Sequence, residues 1–434
     1  MIHIGRKRIV RYLVILILFV QILVLYHNSH HIKNVSEKYF PSVFNNLKYP
    51  FLTSTGELNL AFFKFRFEEN ITVPEAIERN IEIYTKVMEK KISEPKVNDL
   101  KRPTENYQLA NATLFSLVRN SELKGIVPVI IQIEEKFNNK FHYPWTFLND
   151  EPFTDDFKTE VLKHTKSNCF FEVIPKEYWN KPSHIDPEKE KKGIKKLQEA
   201  GVPYADKDSY HNMCRFNSGT FYNIPHMKQF KWYWRIEPDT RYYCHINYDV
   251  FKFMEDHNKT YGFNINVYDV QETIETLWTT TLDFLKEHPQ YLHPEGAYDW
   301  LLEDLQYPIK AKLTKGYSTC HFWSNFEIAN LDFFRGEQYS QWFEHLDKAG
   351  GFYYERWGDA PVHSMGLALF EDKSKIHWFR DIGYQHSPYI NCPNSDQCGD
   401  CTPAEFCGIA SGVKENCMAN WIKYEMSDEQ LAMY

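Results

Sequence analysis

The sequence predicts an α/β fold in which helices flank a central sheet. Two apolar runs, residues 113–118 and 145–148, enclose a helical pattern that ends near Phe137, an order that opens such domains with a right-handed crossover. A third run, residues 230–237, alternates apolar and polar side chains with a period of two, which is typical of a strand. The chain has 434 residues, 43% of them hydrophobic, which is enough for one large domain with appendages or for two domains.

The N-terminal residues predict a membrane anchor. Basic residues at positions 6–8 and Arg11 precede an apolar run over residues 12–26 that only Gln21 interrupts. The run is short for a bilayer of about 30 Å, but residues 9 and 10 extend it. A cleavable signal peptide is the alternative, although no small-residue cleavage site follows. We therefore expect a cytoplasmic tail over residues 1–8 and a single signal-anchor transmembrane helix over 9–26.

Residues 27–107 have the mixed, proline-containing composition of a luminal stem. One ordered element is expected within them, a helix that opens at Thr72 and Pro74 and packs on the following domain. Its predicted apolar stripe consists of Ile77, Ile81, Tyr84 and Met88.

Four asparagines lie in glycosylation sequons beyond the predicted anchor: Asn34, Asn70, Asn111 and Asn258. Such sequons are glycosylated in secretory compartments, although they also occur by chance. They support a luminal body.

All nine cysteines lie at or after Cys169, and five of them fall in the C-terminal segment, residues 392–434. In a reducing compartment Cys398 and Cys401, with Cys392 and Cys407, would suggest zinc, but the spacing fits no common finger. In an oxidising compartment the same residues predict disulfides, with one cysteine left over. The predicted anchor favours disulfides.

The net charge of −8 and the isoelectric point near 6.1 provide no basic field, so a nucleic-acid partner is excluded.

Pro238 stops strand pairing at the end of the third run. Glu237 and Asp239 therefore lie where the strand passes into a loop, which is where α/β sheets bind ligands. Two carboxylates there suit a divalent cation that bridges the phosphates of a nucleotide. An ordinary acidic turn is the alternative.

Four further strings surround this acidic turn in the sequence: residues 210–216 (YHNMCRF), 320–327 (CHFWSNFE), 357–364 (WGDAPVHS) and 381–386 (DIGYQH). Together with Glu237-Pro238-Asp239 they resemble the fungal α-1,2-mannosyltransferases of glycosyltransferase family 15, which are type II Golgi membrane enzymes that use GDP-mannose and manganese. The resemblance spans about residues 111–393. It implies a GT-A-like nucleotide-sugar-binding fold with a mixed central sheet, a catalytic domain over residues 108–391 and a location in the Golgi membrane.

The resemblance also implies roles for individual residues. Glu237 and His386 would be ligands of Mn²⁺, with Asp239 assisting and the diphosphate completing the shell. Arg119 would contact guanine or phosphate, and Tyr210 would stack on donor or acceptor. For His386, Arg119 and Tyr210 the alternatives are a structural histidine, a surface arginine and a core tyrosine.

Two carboxylates would act on the sugar. Glu327 is the candidate nucleophile, or the stabiliser of the anomeric centre, and its alternative is a core glutamate paired with an arginine such as Arg335. Asp359 resembles the family's active-site aspartate; as an alternative or in addition, it would cap a helix over residues 361–370. A covalent mannosyl-enzyme and a front-face mechanism both stay open.

The resemblance therefore implies a retaining transfer of mannose from GDP-mannose to mannose hydroxyls of N-linked glycans, O-linked glycans or both, on secretory and cell-wall mannoproteins. Two alternatives are kept. The first is mannosylphosphate transfer within the same family, and the second is a non-catalytic, membrane-tethered mannan-binding protein.

Overall fold

The computed structural model describes residues 49–66, 70–95, 107–302 and 308–434. They divide into two units between Phe63 and Lys64. In the first unit, an antiparallel bridge joins Leu52 to Leu58. The predicted tail and anchor lie outside the described residues, and no helix within those ranges is long and apolar enough to cross a membrane.

The second unit contains twelve short strands within the described ranges. They are β1 (Ala112–Leu117), β2 (Trp145–Asn149), β3 (Cys169–Val173), β4 (Trp232–Arg235), β5 (Thr240–Tyr242), β6 (Tyr261–Phe263), β7 (Asn266–Tyr268), β8 (Cys320–Phe322), β9 (Glu327–Asn330), β10 (Ile376–Trp378), β11 (Tyr384–His386) and β12 (Tyr389–Asn391).

Seven of these strands form the central sheet, in the order β10-β6-β9-β4-β1-β2-β3. Strands β1 to β4 are parallel to one another, and β6 and β10 are parallel to each other. Strand β9 pairs antiparallel with both β4 and β6. The sheet is therefore mixed, as predicted, and the first residue of β9 lies at the edge of the sheet where β4 and β6 end. Strands β12, β11 and β5 form a second sheet, and β7 pairs with β8.

Helices surround the sheet. They are α1 (Val73–Met88), α2 (Leu123–Lys136), α3 (Asp155–Leu162), α4 (Lys176–Trp179), α5 (Pro187–Glu199), α6 (Asp208–Arg215), α7 (Val250–Asp256), α8 (Leu277–Glu287), α9 (Tyr298–Leu302), α10 (Pro308–Leu313), α11 (Leu331–Arg335), α12 (Glu337–Ala349), α13 (Gly351–Tyr354), α14 (Asp359–Phe370), α15 (Met418–Glu425) and α16 (Asp428–Leu431).

Strand β4 is buried on both faces, whereas its alternating pattern predicts one solvated face. Trp232 and Trp234 are buried as predicted, but Tyr233 and Arg235 are buried as well. Because β4 lies in the middle of the sheet, its polar side chains point into the protein and must find partners there.

Helix α1 begins as predicted, with Thr72 and Glu75 forming a capping box. Its buried face is shifted from the predicted stripe, because Ile81 is exposed; the buried residues are Ala76, Asn80, Tyr84, Val87 and Met88. The helix packs on the following domain, where the ring of Tyr84 meets Phe406 edge to face at 5.6 Å.

The cysteines form three disulfides, Cys244–Cys398, Cys320–Cys417 and Cys392–Cys401. This pairing excludes the zinc alternative. Three cysteines stay unpaired instead of the predicted one: Cys169, Cys214 and Cys407.

Three of the four sequon asparagines lie in the described ranges. Asn70, Asn111 and Asn258 are exposed. The side-chain amide of Asn111 donates to the carbonyl oxygen of Gln229 at 2.7 Å. Asn34 lies outside the described residues.

Candidate active site

A cleft of about 650 Å³ opens at the carboxyl ends of β1, β2 and β4. Six of the sequence-predicted site residues line it: Arg119, Tyr210, Glu237, Asp239, Asp359 and His386. The seventh, Glu327, does not line the cleft. The sheet edge thus gathers residues that are up to 267 positions apart, since 386 minus 119 is 267.

The turn between β4 and β5 fixes the two acidic residues. Strand β4 ends at Arg235, and the Thr240 hydroxyl donates to the Glu237 carbonyl oxygen at 2.8 Å. Asp239 has a φ of 58°, in the left-handed region that aspartate tolerates better than most residues. In the second sheet, His386 of β11 pairs in register with Thr240 of β5. This pairing brings the imidazole to the same turn.

Arg235 joins the carboxylates of three different segments. Its Nε donates to Glu237 Oε1 and its Nη1 donates to Asp359 Oδ2, each at 2.5 Å. Nη1 also lies 3.8 Å from Glu327 Oε1. Burial opposes the charge of Arg235, but these carboxylates hold its pKa well above the ordinary value. Arg235 is therefore a permanent buried cation in the cleft wall.

Asp359 is the first residue of α14, whose N-cap is Gly358, so the capping alternative for Asp359 is wrong. Its carboxylate instead accepts from Arg235 and, at 2.8 Å, from the Ser324 hydroxyl. Burial would raise its pKa, but Arg235, His363 and Ser324 outweigh burial and lower it. Asp359 is therefore an anion throughout the neutral range.

Glu327, the first residue of β9, lies behind the cleft wall and is only 1% exposed. Its oxygens accept from the hydroxyls of Tyr233 and Tyr261 at 2.8 and 2.9 Å, and the ring of His363 lies at 2.9 Å. Arg335, the alternative partner, instead donates to backbone carbonyl oxygens. The nucleophilic role of Glu327 stays a prediction, and its contacts place it one layer from the cleft.

The residues expected to bind manganese fit a metal ion. The Nδ1 atom of His386 is buried and has no hydrogen-bond partner. Burial and the nearby Arg235 lower the pKa of His386 despite Glu237 and Asp239, which favours the neutral imidazole, the form that coordinates metal ions. Within the described ranges, no three histidine, cysteine or acidic side chains are arranged to hold a metal. A bound diphosphate would have to supply the remaining ligands.

A ladder of aromatic and cationic side chains forms the cleft rim. The guanidinium of Arg356 lies 5.0 Å from the ring centroid of Tyr210, and Tyr210 stacks on Tyr204 at 5.0 Å. The ammonium group of Lys207 lies 4.6 Å from the Tyr204 ring. Tyr210 is half-buried and lies on the rim beside Tyr204 and Arg356. This position does not favour the alternative that Tyr210 is a core tyrosine.

Sequence reasoning missed Arg235, Ser324, Arg356 and His363. Arg235 could have been found, because an arginine within an aromatic-rich strand needs buried anionic partners, and Glu237 follows two residues later. No sequence signal linked Arg356 to Tyr210 or Ser324 to Asp359, since these contacts depend on how distant segments meet.

A family model described as glycolipid 2-alpha-mannosyltransferase matches residues 74–426. A probable mannosyltransferase, KTR4 of Saccharomyces cerevisiae, is 49% identical over 368 residues, which cover 83% of this chain and 79% of that protein.

Two solved structures are similar in fold and sequence. The X-ray structure of the S. cerevisiae mannosyltransferase Ktr4p in complex with GDP has a TM-score of 0.84 and 47% identity, covering 86% of this chain and 98% of its own. The Mn/GDP form of core-mannan synthase A from Aspergillus fumigatus has a TM-score of 0.75 and 48% identity, covering 78% and 93%.

Proposed function

The chain belongs to the glycolipid 2-alpha-mannosyltransferase family, and from that premise we propose that it transfers mannose from GDP-mannose to a mannose hydroxyl. The new bond is an α-1,2 linkage, so the configuration at the anomeric carbon is retained. The acceptors are N-linked glycans, O-linked glycans or both, on secretory and cell-wall mannoproteins.

One observation carries this proposal: Arg235 holds Glu237 and Asp359 together at the mouth of a cleft that also contains Asp239 and His386. At one end of this arrangement, Glu237, Asp239 and His386 offer ligands for a cation. At the other end, Asp359 is a fixed anion. A nucleotide diphosphate sugar needs both features, because its leaving group is anionic and its anomeric carbon becomes positive.

Manganese is the proposed cofactor, since a related structure is a Mn/GDP form. Glu237 and His386 would hold it, and a carboxylate with an imidazole suits this ion. When bound, manganese would offset the charge of the diphosphate.

The protein's own groups would orient the substrates. Arg119 is exposed just after β1, where its guanidinium can contact guanine or phosphate. Tyr210 and Tyr204 offer a stacked edge for a sugar or base. Asp359, which stays ionised, is a weak proton acceptor, and its charge is better suited to supporting the developing positive charge at the anomeric carbon.

The proposed location is the Golgi membrane, with residues 9–26 as a type II anchor and the catalytic domain in the lumen. Three disulfides and three exposed sequon asparagines support a luminal body.

The test uses the full-length protein with GDP-mannose, manganese and α-methyl mannoside. In the proposed reaction the bond between C1 and the phosphate oxygen breaks, the acceptor oxygen bonds to C1, and GDP and a proton are released. We expect a product heavier by one hexose, sensitive to α-1,2-mannosidase and free of phosphorus. Release of GMP with a phosphorylated product would establish mannosylphosphate transfer instead. Binding of mannan without any transfer would establish the non-catalytic alternative.

A further inference from the structure

His363 lies on α14 one turn after Asp359 and is completely buried, with 0% exposure. Its Nε2 is 2.9 Å from the carbonyl oxygen of Asn217, and its Nδ1 is 2.9 Å from Glu327 Oε2. Both ring nitrogens therefore face oxygen atoms inside the protein.

These two contacts limit where protons can lie. A backbone carbonyl oxygen only accepts, so Nε2 of His363 carries a hydrogen. At Nδ1, a bare nitrogen facing an ionised Glu327 would place two lone pairs together, which is unfavourable. One proton must therefore lie between the two side chains, either on His363 or on Glu327.

The surroundings place this proton on His363. The titratable and charged groups around the pair are Arg235 and Tyr233 from β4, Tyr261 from β6, Tyr339 from α12 and Asp359 from the same helix as His363. Both hydroxyls that reach Glu327 donate to it, which favours its anionic form.

Charge balance also requires the shared proton. Arg235 alone faces three carboxylates, those of Glu237, Asp359 and Glu327. Without the shared proton the group would carry two uncompensated negative charges, and the proton reduces them to one, whichever of the two side chains carries it.

We propose that His363 is a positioning residue for the transfer reaction: as an imidazolium it keeps Glu327 an anion, and Glu327 in turn holds Arg235 between Asp359 and Glu237. The inference rests on the proposed transferase function. Without the charge on Glu327, the guanidinium of Arg235 would be held only by the carboxylates of Glu237 and Asp359, which line the cleft. A cation bound in the cleft would compete with Arg235 for these carboxylates.

The first test is the pH profile of transfer by the full-length protein with manganese and GDP-mannose. In His363→Gln we expect kcat to fall about ten- to hundredfold, with a smaller change in KM for GDP-mannose. The acid limb of kcat should move to higher pH by about one unit or more, because Glu327 has lost its neighbouring cation. An unmoved acid limb would overturn the proposal.

His377→Gln is the matched control. His377 is also a buried histidine, but its Nε2 contacts the Tyr434 hydroxyl and no carboxylate. We expect His377→Gln to lower stability without moving the acid limb. A shift equal to that of His363→Gln would mean that general loosening, and not the shared proton, causes the effect.

A second readout does not depend on activity, so it separates failure of this inference from failure of the proposed function. Infrared difference spectra at neutral pH detect protonated carboxyl groups. We expect no such band to be lost when wild type is compared with Glu327→Gln. Loss of a band in that comparison would place the proton on Glu327 and overturn the proposal, even if His363→Gln failed to fold.

Discussion

Gly125 of α2 lies directly against the carboxylate of Asp239. A Cβ atom on Gly125 would come within 2.8 Å of Asp239 Oδ1 and 2.9 Å of Oδ2. The backbone amide of Asp239 also donates to the Gly125 carbonyl oxygen at 3.2 Å. The first turn of α2 thus supports the acidic turn that follows β4.

Gly125→Ala should separate stability from binding. Alanine is favoured over glycine in a helix by about 1 kcal/mol, and the atoms it would meet belong to the end of one side chain, so stability should hold or rise. Asp239 must turn away, and manganese-dependent GDP binding should weaken. Thermal unfolding and calorimetric titration measure the two effects. In an Asp239→Gly background the same substitution should not weaken binding further; a further loss would mean that Gly125 acts elsewhere.

Arg235→Lys keeps the charge but cannot bridge Glu237, Asp359 and Glu327. We expect a loss of about 3 kcal/mol or more in the free energy of unfolding, since buried carboxylates lose their partner, together with loss of transfer. Denaturant unfolding and the transfer assay check this. Arg335→Lys serves as the control, because Arg335 binds backbone carbonyl oxygens outside the cleft. It should reduce stability but leave GDP affinity unchanged.

His386→Ala should weaken manganese binding. Chelation should abolish transfer by the wild type, and manganese should restore it better than calcium, because a histidine ligand disfavours the harder ion. His226→Ala is a suitable control, since His226 does not line the cleft. Full activity and unchanged manganese affinity in His386→Ala would show that this histidine is not a ligand.

Asp381 should make stability depend on pH. Burial raises its pKa to about 7, although Tyr248 and Tyr434 donate hydrogen bonds to it. A carboxyl group with a raised pKa favours the folded state only while it is protonated, so the native state loses stability as pH rises from about 4 to 7. Asp381→Asn removes this loss. Its stability relative to wild type should increase by about 2 kcal/mol between pH 5 and pH 8, as measured by denaturant unfolding.

The control for that experiment is Asp283→Asn, because Asp283 is exposed and pairs only with Lys286 in a surface ion pair. Its effect should stay below about 0.5 kcal/mol at both pH values. Equal pH responses of the two variants would argue against a raised pKa at Asp381.

Local sequence patterns predicted the local structure well. The apolar runs at residues 113–118 and 145–148 became β1 and β2, and residues 188–196, whose Lys/Glu-rich composition predicts either a solvated helix or a loop, lie in helix α5. The sequence also predicts helices over residues 247–255 and 273–286, and these begin later, at Val250 and Leu277. For the first, the reason is local: the Asp249 side chain caps the helix by accepting from the amides of Phe251 and Lys252.

The site was predicted only where the chemistry is local or carried by motifs. Glu237 and Asp239 follow from a strand that ends in an acidic turn. The burial of Glu327 could not be predicted, because it depends on β9 entering the sheet antiparallel between β4 and β6. Likewise, the arginine that faces Glu327 is Arg235, opposite it in that pairing, and not the sequence neighbour Arg335.

The two long-range disulfides can form only late in the synthesis of the chain. Cys244 must wait for 154 further residues before Cys398 emerges from the ribosome, and Cys320 must wait for 97 before Cys417 does. During that interval Cys169 and Cys214 are available as wrong partners, since both precede Cys244. All cleft-lining residues lie at or before His386, so a chain stopped ahead of Cys398 would contain every one of them yet lack both long-range bonds. Closure of both long-range disulfides therefore depends on a segment that contributes no side chain to the cleft itself.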